Sequence, residues 1–169
     1  MRDLVVYASG DSNAIAQCAG LFADFAKQSA DLGAYGNGSR MKFVANHLVA
    51  IHNVATAEAM VLAQRAGLDP KMVVDLVGPG AGGSRMFQMR APMMVEGIYE
   101  PATMKVSMWE KDMAIIAEFA DNVGCETPLF TLTQPVYSAA LAMGLGDQDT
   151  ASVFEVLKKT IVKPAKSGA

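Results

Sequence analysis

"SRMKFVANHLVAIHNVATAEAMVLAQRA", Ser39 to Ala66, is a stretch of 28 residues with no proline or glycine. As a helix it would span about 42 Å, more than twice the length of an ordinary globular helix. Met41, Phe43, Val44, Leu48 and Val49 place apolar groups nearly all round its first half. A helix of that kind is expected to be buried on most faces, with the rest of the chain packed around it. Gly67 follows as a C′ glycine. Asp69-Pro70 then supplies an N-cap and a proline at the first helical position, opening a further helix to about Val77.

Downstream, the pattern stays helical. Ser84 can cap a short helix ending near Pro92, and about Ala102 to Val123 is helical up to Gly124. Two more helices are expected, roughly Leu129 to Met143 and Asp149 to Ile161, before the polar tail "KPAKSGA". Upstream, the character changes. "LVVYA", Leu4 to Ala8, reads as a strand, Asn13 to Lys27 as a helix capped by Ser12 or Asn13, and "QSADLGA" as a second short strand. The chain is therefore mostly α, a helical bundle around one long central helix, preceded by a short β-α-β segment. Two strands make no stable sheet by themselves. They are read as the end of a larger sheet or as strands that pair with another chain.

Composition narrows the function classes. Hydrophobic residues make up 51% of the 169 and charged residues 18%, below the usual ~25%. That balance favours an oligomer or a docking partner. Lys and Arg are scattered in a chain of net charge −3, which argues against nucleic acid. Cys18 and Cys125 are isolated, as expected of reduced thiols in a cytoplasmic protein, and His47 and His52 are not at metal-ligand spacing, so no metal is expected. No signal-peptide pattern and no membrane-spanning apolar run is present.

Gly78, Gly80 and Gly83 spell G-x-G-x-x-G. A dinucleotide fingerprint needs a strand before it and a helix after it. Here "PKMVVDLV" carries helix-start signals, so the glycines read as a connection between helices, one that could let backbone approach a ligand ahead of Ser84.

Lys42 and Asn46 are one turn apart and share a helix face. On a solvated face such a pair needs no explanation. On a helix expected to be buried, the lysine must be paired or lose its proton readily, which suits proton transfer, and Asn46 could hold a hydroxyl or carboxylate beside it.

"GNGSRMKFVANHLV" resembles the G-x-G-x-x-x-K-x-x-x-N signature of the β-hydroxyacid dehydrogenases, which include 3-hydroxyisobutyrate, tartronate-semialdehyde and 6-phosphogluconate dehydrogenases. "KDMAIIAEFADNVGCETPL", Lys111 to Leu129, resembles that family's K-D-L-x-x-A run, and "GGSRMFQMRAP" its serine-centred loop. The likeness covers nearly the whole chain in order. It implies a helical substrate and dimerisation domain over residues 35–162, a tail over 163–169, and, over residues 1–34, the closing strand-helix-strand remnant of a Rossmann domain. The glycine fingerprint of that domain has no counterpart here, so the chain is similar to the C-terminal half of such an enzyme.

By that resemblance Lys42 is the catalytic acid/base, Asn46 orients the substrate, Gly36 and Gly38 turn the chain beneath it, and Ser84 lines the site. Lys111 lies near the nicotinamide, with Asp112 holding nearby groups. Two departures stand out: Ala45 replaces a common asparagine, and Tyr99 and Pro101 replace a common Gly-Phe pattern. The longer C-terminal region of the 6-phosphogluconate enzyme has no counterpart, which favours a small 3-hydroxy acid or its semialdehyde as substrate. NAD or NADP is implied for the full-length enzyme and none for this chain alone; the implied partners are a second copy and the missing Rossmann domain. The competing reading is a non-enzymatic helical dimerisation or interaction module of the same descent.

Overall fold

The computed structural model of the chain describes residues 3–160. They fall into two compact units that divide between Asn46 and His47. The division falls inside the long helix, so its first turns belong to one unit and the remainder to the other.

The first unit holds β1 (Leu4–Ala8), α1 (Ser12–Gln17), α2 (Ala19–Phe25), β2 (Ala26–Asp31) and the start of α3 (Asn37–Arg65). β1 and β2 are parallel, with Val5 opposite Gln28 and Ala8 opposite Asp31. Asp11, rather than Ser12 or Asn13, caps α1, its Oδ1 accepting from the Asn13 and Ala14 amides at 2.8 and 2.9 Å. The helix expected over 13–27 is broken at Cys18. It also ends at Phe25, because Ala26 turns extended to pair with Leu4, and the strand expected at "QSADLGA" begins two residues earlier. Pairing across the sheet here outweighs local helix preference.

The second unit is helical: the rest of α3, α4 (Pro70–Val77), α5 (Arg85–Glu96), α6 (Val106–Asn122), α7 (Pro128–Ala142), a 3-10 turn (Thr150–Ser152) and α8 (Val153–Thr160). Trp109, Phe130, Phe154, Met60 and Val106 are among its fully buried side chains. Within α3, Ala50, Asn53, Val54, Ala57, Met60 and Val61 are buried at the helical period, whereas Leu48, Ala55, Glu58, Ala59 and Leu62 on the opposite side are exposed. The expectation of a helix buried on most faces is thus corrected: the described helices cover one face of α3.

The chain punctuation follows backbone chemistry. Gly67, Gly124 and Gly144 all have positive φ. At Gly67 the two amide bonds of a Schellman ending form, Gly67 N to Gln64 O and Leu68 N to Ala63 O, both 3.1 Å. Asp69 caps α4 as expected, accepting from Lys71 N at 2.9 Å. α5 runs through Pro92 to Glu96 and ends at Gly97 in the left-handed conformation, four residues beyond the expected stop. α6 begins at Val106, later than the expected Ala102. The segment expected as one helix from Asp149 opens with the 3-10 turn before α8. Its expected end at Ile161, and the tail over 163–169, lie outside the described residues.

Candidate functional site

Gly36 has φ +92°, a left-handed conformation open to glycine at little cost. Asn37 then anchors the start of α3, its Nδ2 donating to Leu32 O at 2.7 Å. Gly38 is buried, and its amide donates to Ser9 Oγ at 3.1 Å. A Cβ there would run into the carbonyl of Tyr7. The first turn of α3 is thereby pressed against the carboxyl end of β1. In open α/β sheets that end is where ligands collect.

Lys42 follows one turn on and Asn46 a turn after that, so Gly38, Lys42 and Asn46 share the first unit. Lys42 is exposed and Asn46 half-buried. Lys42 is therefore not the buried lysine expected from its apolar neighbours, of which Met41, Val44 and Leu48 are themselves 41%, 53% and 46% exposed. On the far side of this helical start, Leu32, Asn37, Arg40, Met41 and Val44 line an open depression of about 280 Å³.

Ser84 and Lys111 belong to the second unit. Ser84 Oγ accepts from Phe87 N at 3.0 Å and so caps α5. Its residue lines a cleft of about 290 Å³ with His52, Thr56, Val77 and Phe87. Lys111 is an exposed residue of α6, and Asp112 beside it is half-buried. The G-x-G-x-x-G glycines follow α4 and join it to α5. A Cβ at Gly83 would meet the Gly78 carbonyl, which accounts for that glycine by packing.

The reading from sequence missed the buried polar centre of the second unit. Arg90 Nη1 lies 2.8 Å from Asp149 Oδ2, with the two side chains 6% and 0% exposed. The same oxygen accepts from Thr103 N and Thr103 Oγ1, both at 2.9 Å. Asp149 Oδ1 caps the 3-10 turn through Ala151 N. At Thr150, which follows Asp149 in the chain, the backbone carbonyl accepts from Asn53 Nδ2 at 2.9 Å; Asn53 Nδ2 also donates to Tyr137 Oη at 3.0 Å, and Tyr137 Oη donates to Ala50 O. Burial pushes the Tyr137 phenol well above its ordinary range. Burial, followed by the hydrogen bond to Glu155, does the same to Tyr99. The sequence signal for this centre was weak: Arg90 is followed by the apolar run Ala91 to Val95, but Arg85 and Gln88 share its helix.

Among the described residues there is no group of three or more His, Cys, Asp or Glu that could hold a metal. No described helix is long and apolar enough to cross a membrane. Cys18 and Cys125 are free and exposed.

Residues 36–157 match the family model described as NAD-binding of NADP-dependent 3-hydroxyisobutyrate dehydrogenase. The chain is 31% identical over 155 residues to glyoxylate/succinic semialdehyde reductase 2, chloroplastic, of Arabidopsis thaliana, covering 92% of this chain and 43% of that protein. It is 31% identical over 166 residues to L-threonate dehydrogenase of Escherichia coli K12, covering 98% and 55%. Among solved structures, 3-hydroxyisobutyrate dehydrogenase from Salmonella typhimurium superposes with a TM-score of 0.82 at 29% identity, over 88% of this chain and 52% of that one. The chain spans about half the length of the curated relatives it matches. With its family model matched from Gly36 to Leu157, and with the G-x-G-x-x-x-K-x-x-x-N segment opening that match, the chain belongs to the NAD(P)-linked 3-hydroxyisobutyrate dehydrogenase family.

Proposed function

We propose that this chain is the helical half of a nicotinamide-dependent oxidoreductase acting on a small 3-hydroxy acid or its semialdehyde. The observation that carries the reading is the seating of Gly38 against the carboxyl end of β1. Lys42 follows one turn along α3 from that contact, and substrates of open α/β folds bind at this end of the sheet, which supports the reading.

Among the described residues neither strand runs into a G-x-G-x-x-G loop: Ser9-Gly10-Asp11 links β1 to α1, and Gly33 and Gly36, between β2 and α3, do not have that spacing. The pyrophosphate of the cofactor is assigned to the portion of the relatives that this chain does not span. The chain alone is accordingly expected to bind neither NAD nor NADP with useful affinity. When bound, the nicotinamide supplies the hydride chemistry. The residues of this chain manage the proton and the substrate. Lys42 Nζ takes the hydroxyl proton in oxidation and returns it in reduction. Asn46 holds the hydroxyl or carboxylate in line with it, and Lys111 provides a cation near the nicotinamide or substrate.

The test is an assay of the chain joined to a matching nucleotide-binding half, with a panel of small 3-hydroxy acids and both cofactors. Reduction of the nicotinamide by at least one of them is expected. A correctly folded assembly that binds cofactor and turns over none would overturn the reading.

A further inference from the structure

We propose that the second unit holds an internal water molecule, bound between Asn53 of α3 and Trp109 of α6. All the groups concerned lie in that unit, so the proposal is independent of Lys42 and of the hydride-transfer reading. The two side chains are 1% and 2% exposed. Among the described residues each keeps one buried polar atom without a hydrogen bond, Asn53 Oδ1 as acceptor and Trp109 Nε1 as donor. Unpaired polar groups in an interior are costly, and native proteins pair nearly all of theirs with protein or with ordered water.

Both unpaired atoms belong to side chains that meet at one hydroxyl. Asn53 Nδ2 donates to Tyr137 Oη at 3.0 Å. Trp109 lies against the same tyrosine, with ring centroids 6.2 Å apart, and its indole N–H approaches that hydroxyl without a well-aligned hydrogen bond. Turning the Asn53 amide over does not repair the network. Nδ2 also donates to Thr150 O at 2.9 Å, and a reversed amide would set Oδ1 against a carbonyl that only accepts. The Tyr137 phenol does not supply the missing donor either. Burial keeps it protonated, and its single proton goes to Ala50 O at 3.2 Å. The occupant must therefore donate to Asn53 Oδ1 and accept from Trp109 Nε1. An ammonium group has no lone pair to accept with, and a halide has no proton to donate. Water does both, and it fits where the flanking side chains are closed to solvent. A hydroxyl oxygen has two lone pairs, and Asn53 Nδ2 uses one at Tyr137 Oη. The second proton of the water goes to the other. That makes three hydrogen bonds, the usual number for a buried water. The water so held joins α3, α6 and α7 through their side chains.

The chain has a single tryptophan, so the indole N–H gives one unambiguous NMR signal. In the full chain that proton should show a cross-peak at the water frequency. Its laboratory-frame and rotating-frame Overhauser effects should be of opposite sign, as for a held water and unlike surface hydration. A crystal structure of the full chain should show one ordered water within about 3.2 Å of both Asn53 Oδ1 and Trp109 Nε1. Asn53→Leu removes the acceptor and fills its place with hydrocarbon, and the ordered water should be lost, with circular dichroism confirming that the variant folds. If that variant does not fold, the two measurements on the unaltered chain decide. An indole N–H protected from exchange yet without a water cross-peak would overturn the proposal. So would ordered Asn53 and Trp109 side chains with no water between them, Asn53 Oδ1 bonded to a protein donor, or a water that stays in place in Asn53→Leu.

Discussion

Lys42 stands exposed one turn beyond the point where Gly38 meets the end of β1. Gly38, the glycine before it in the signature, fixes the start of the helix that carries it. Gly38→Ala should force the Tyr7 carbonyl and the first turn of α3 apart, at a cost of about 1–3 kcal/mol. Thermal unfolding would show a lowered midpoint. In the assembled enzyme, Lys42→Ala should lower kcat by roughly 10²–10⁴, the range for a positioned acid/base, with a smaller change in KM. Lys42→Arg should not restore activity, because a guanidinium does not give up its proton. Near-normal turnover in Lys42→Ala would move the acid/base role elsewhere, with Lys111 the next residue to test. Asn46→Ala should alter kcat and KM together, since an orienting amide acts on substrate and transition state alike.

The elements show how helices are started and stopped by different means. α4 and α5 start on side-chain caps that are legible in sequence, Asp69 and Ser84. α6 has no such cap: its first amides reach across the chain, Val106 N to Gln148 O and Ser107 N to Gly146 O, both 3.0 Å. The expected start at Ala102 was early for that reason, since the residues that begin α6 lie some forty positions downstream. Lys105 Nζ also pairs with Asp147 Oδ1 at 2.9 Å across the same junction. The hydrogen bond and charge of Lys105 hold the Asp147 carboxyl below its ordinary range, and Asp147 holds the Lys105 amine above its own. A depressed carboxyl stabilises the fold above its unfolded pKa, about 3.9, and that contribution is lost as pH falls through the folded value. A raised amine stabilises it below about 10.4, and the contribution is lost as pH rises through the folded value. Lys105→Met should therefore raise the Asp147 midpoint in an NMR titration. Any stability gap between the two proteins should close at acid pH. Both groups are exposed, so salt should shrink the gap as well.

At the scale of the whole molecule, one buried ion pair ties α5 to the loop before α6 and to the 3-10 turn. Arg90→Met should cost about 3–5 kcal/mol, because it leaves the Asp149 carboxylate buried without its cation. The double change Arg90→Met with Asp149→Leu should cost less than the sum of the single changes, as a double-mutant cycle by chemical denaturation would show. The surface of the second unit leads to a different expectation. Leu62, Leu68, Met72 and Leu76 are 69%, 55%, 57% and 70% exposed. An apolar surface of that kind favours self-association. Sedimentation at micromolar concentration should show a dimer, and Leu62→Glu should shift it toward monomer. A wild-type chain that stays monomeric at high concentration would remove the expectation.

What the sequence determined by itself was whatever rests on near neighbours. The long unbroken stretch from Ser39 is a helix because nothing in it opposes one. Gly67 and Asp69-Pro70 end and restart helices because a left-handed glycine and a capped proline act within a few residues. The G-x-G-x-x-x-K-x-x-x-N spacing was legible for the same reason, and the glycine motif at Gly78 could be set aside because a helix precedes it. Tertiary structure decided the rest. Ala26 left its helix to pair with Leu4, Pro92 was carried inside α5, and α6 waited for carbonyls from 146 and 148. It also decided which side of α3 is covered, and hence that Lys42 is exposed. An apolar residue in a sequence declares what it would gain by burial. Only the packed chain determines which of its surfaces has a neighbour to bury it.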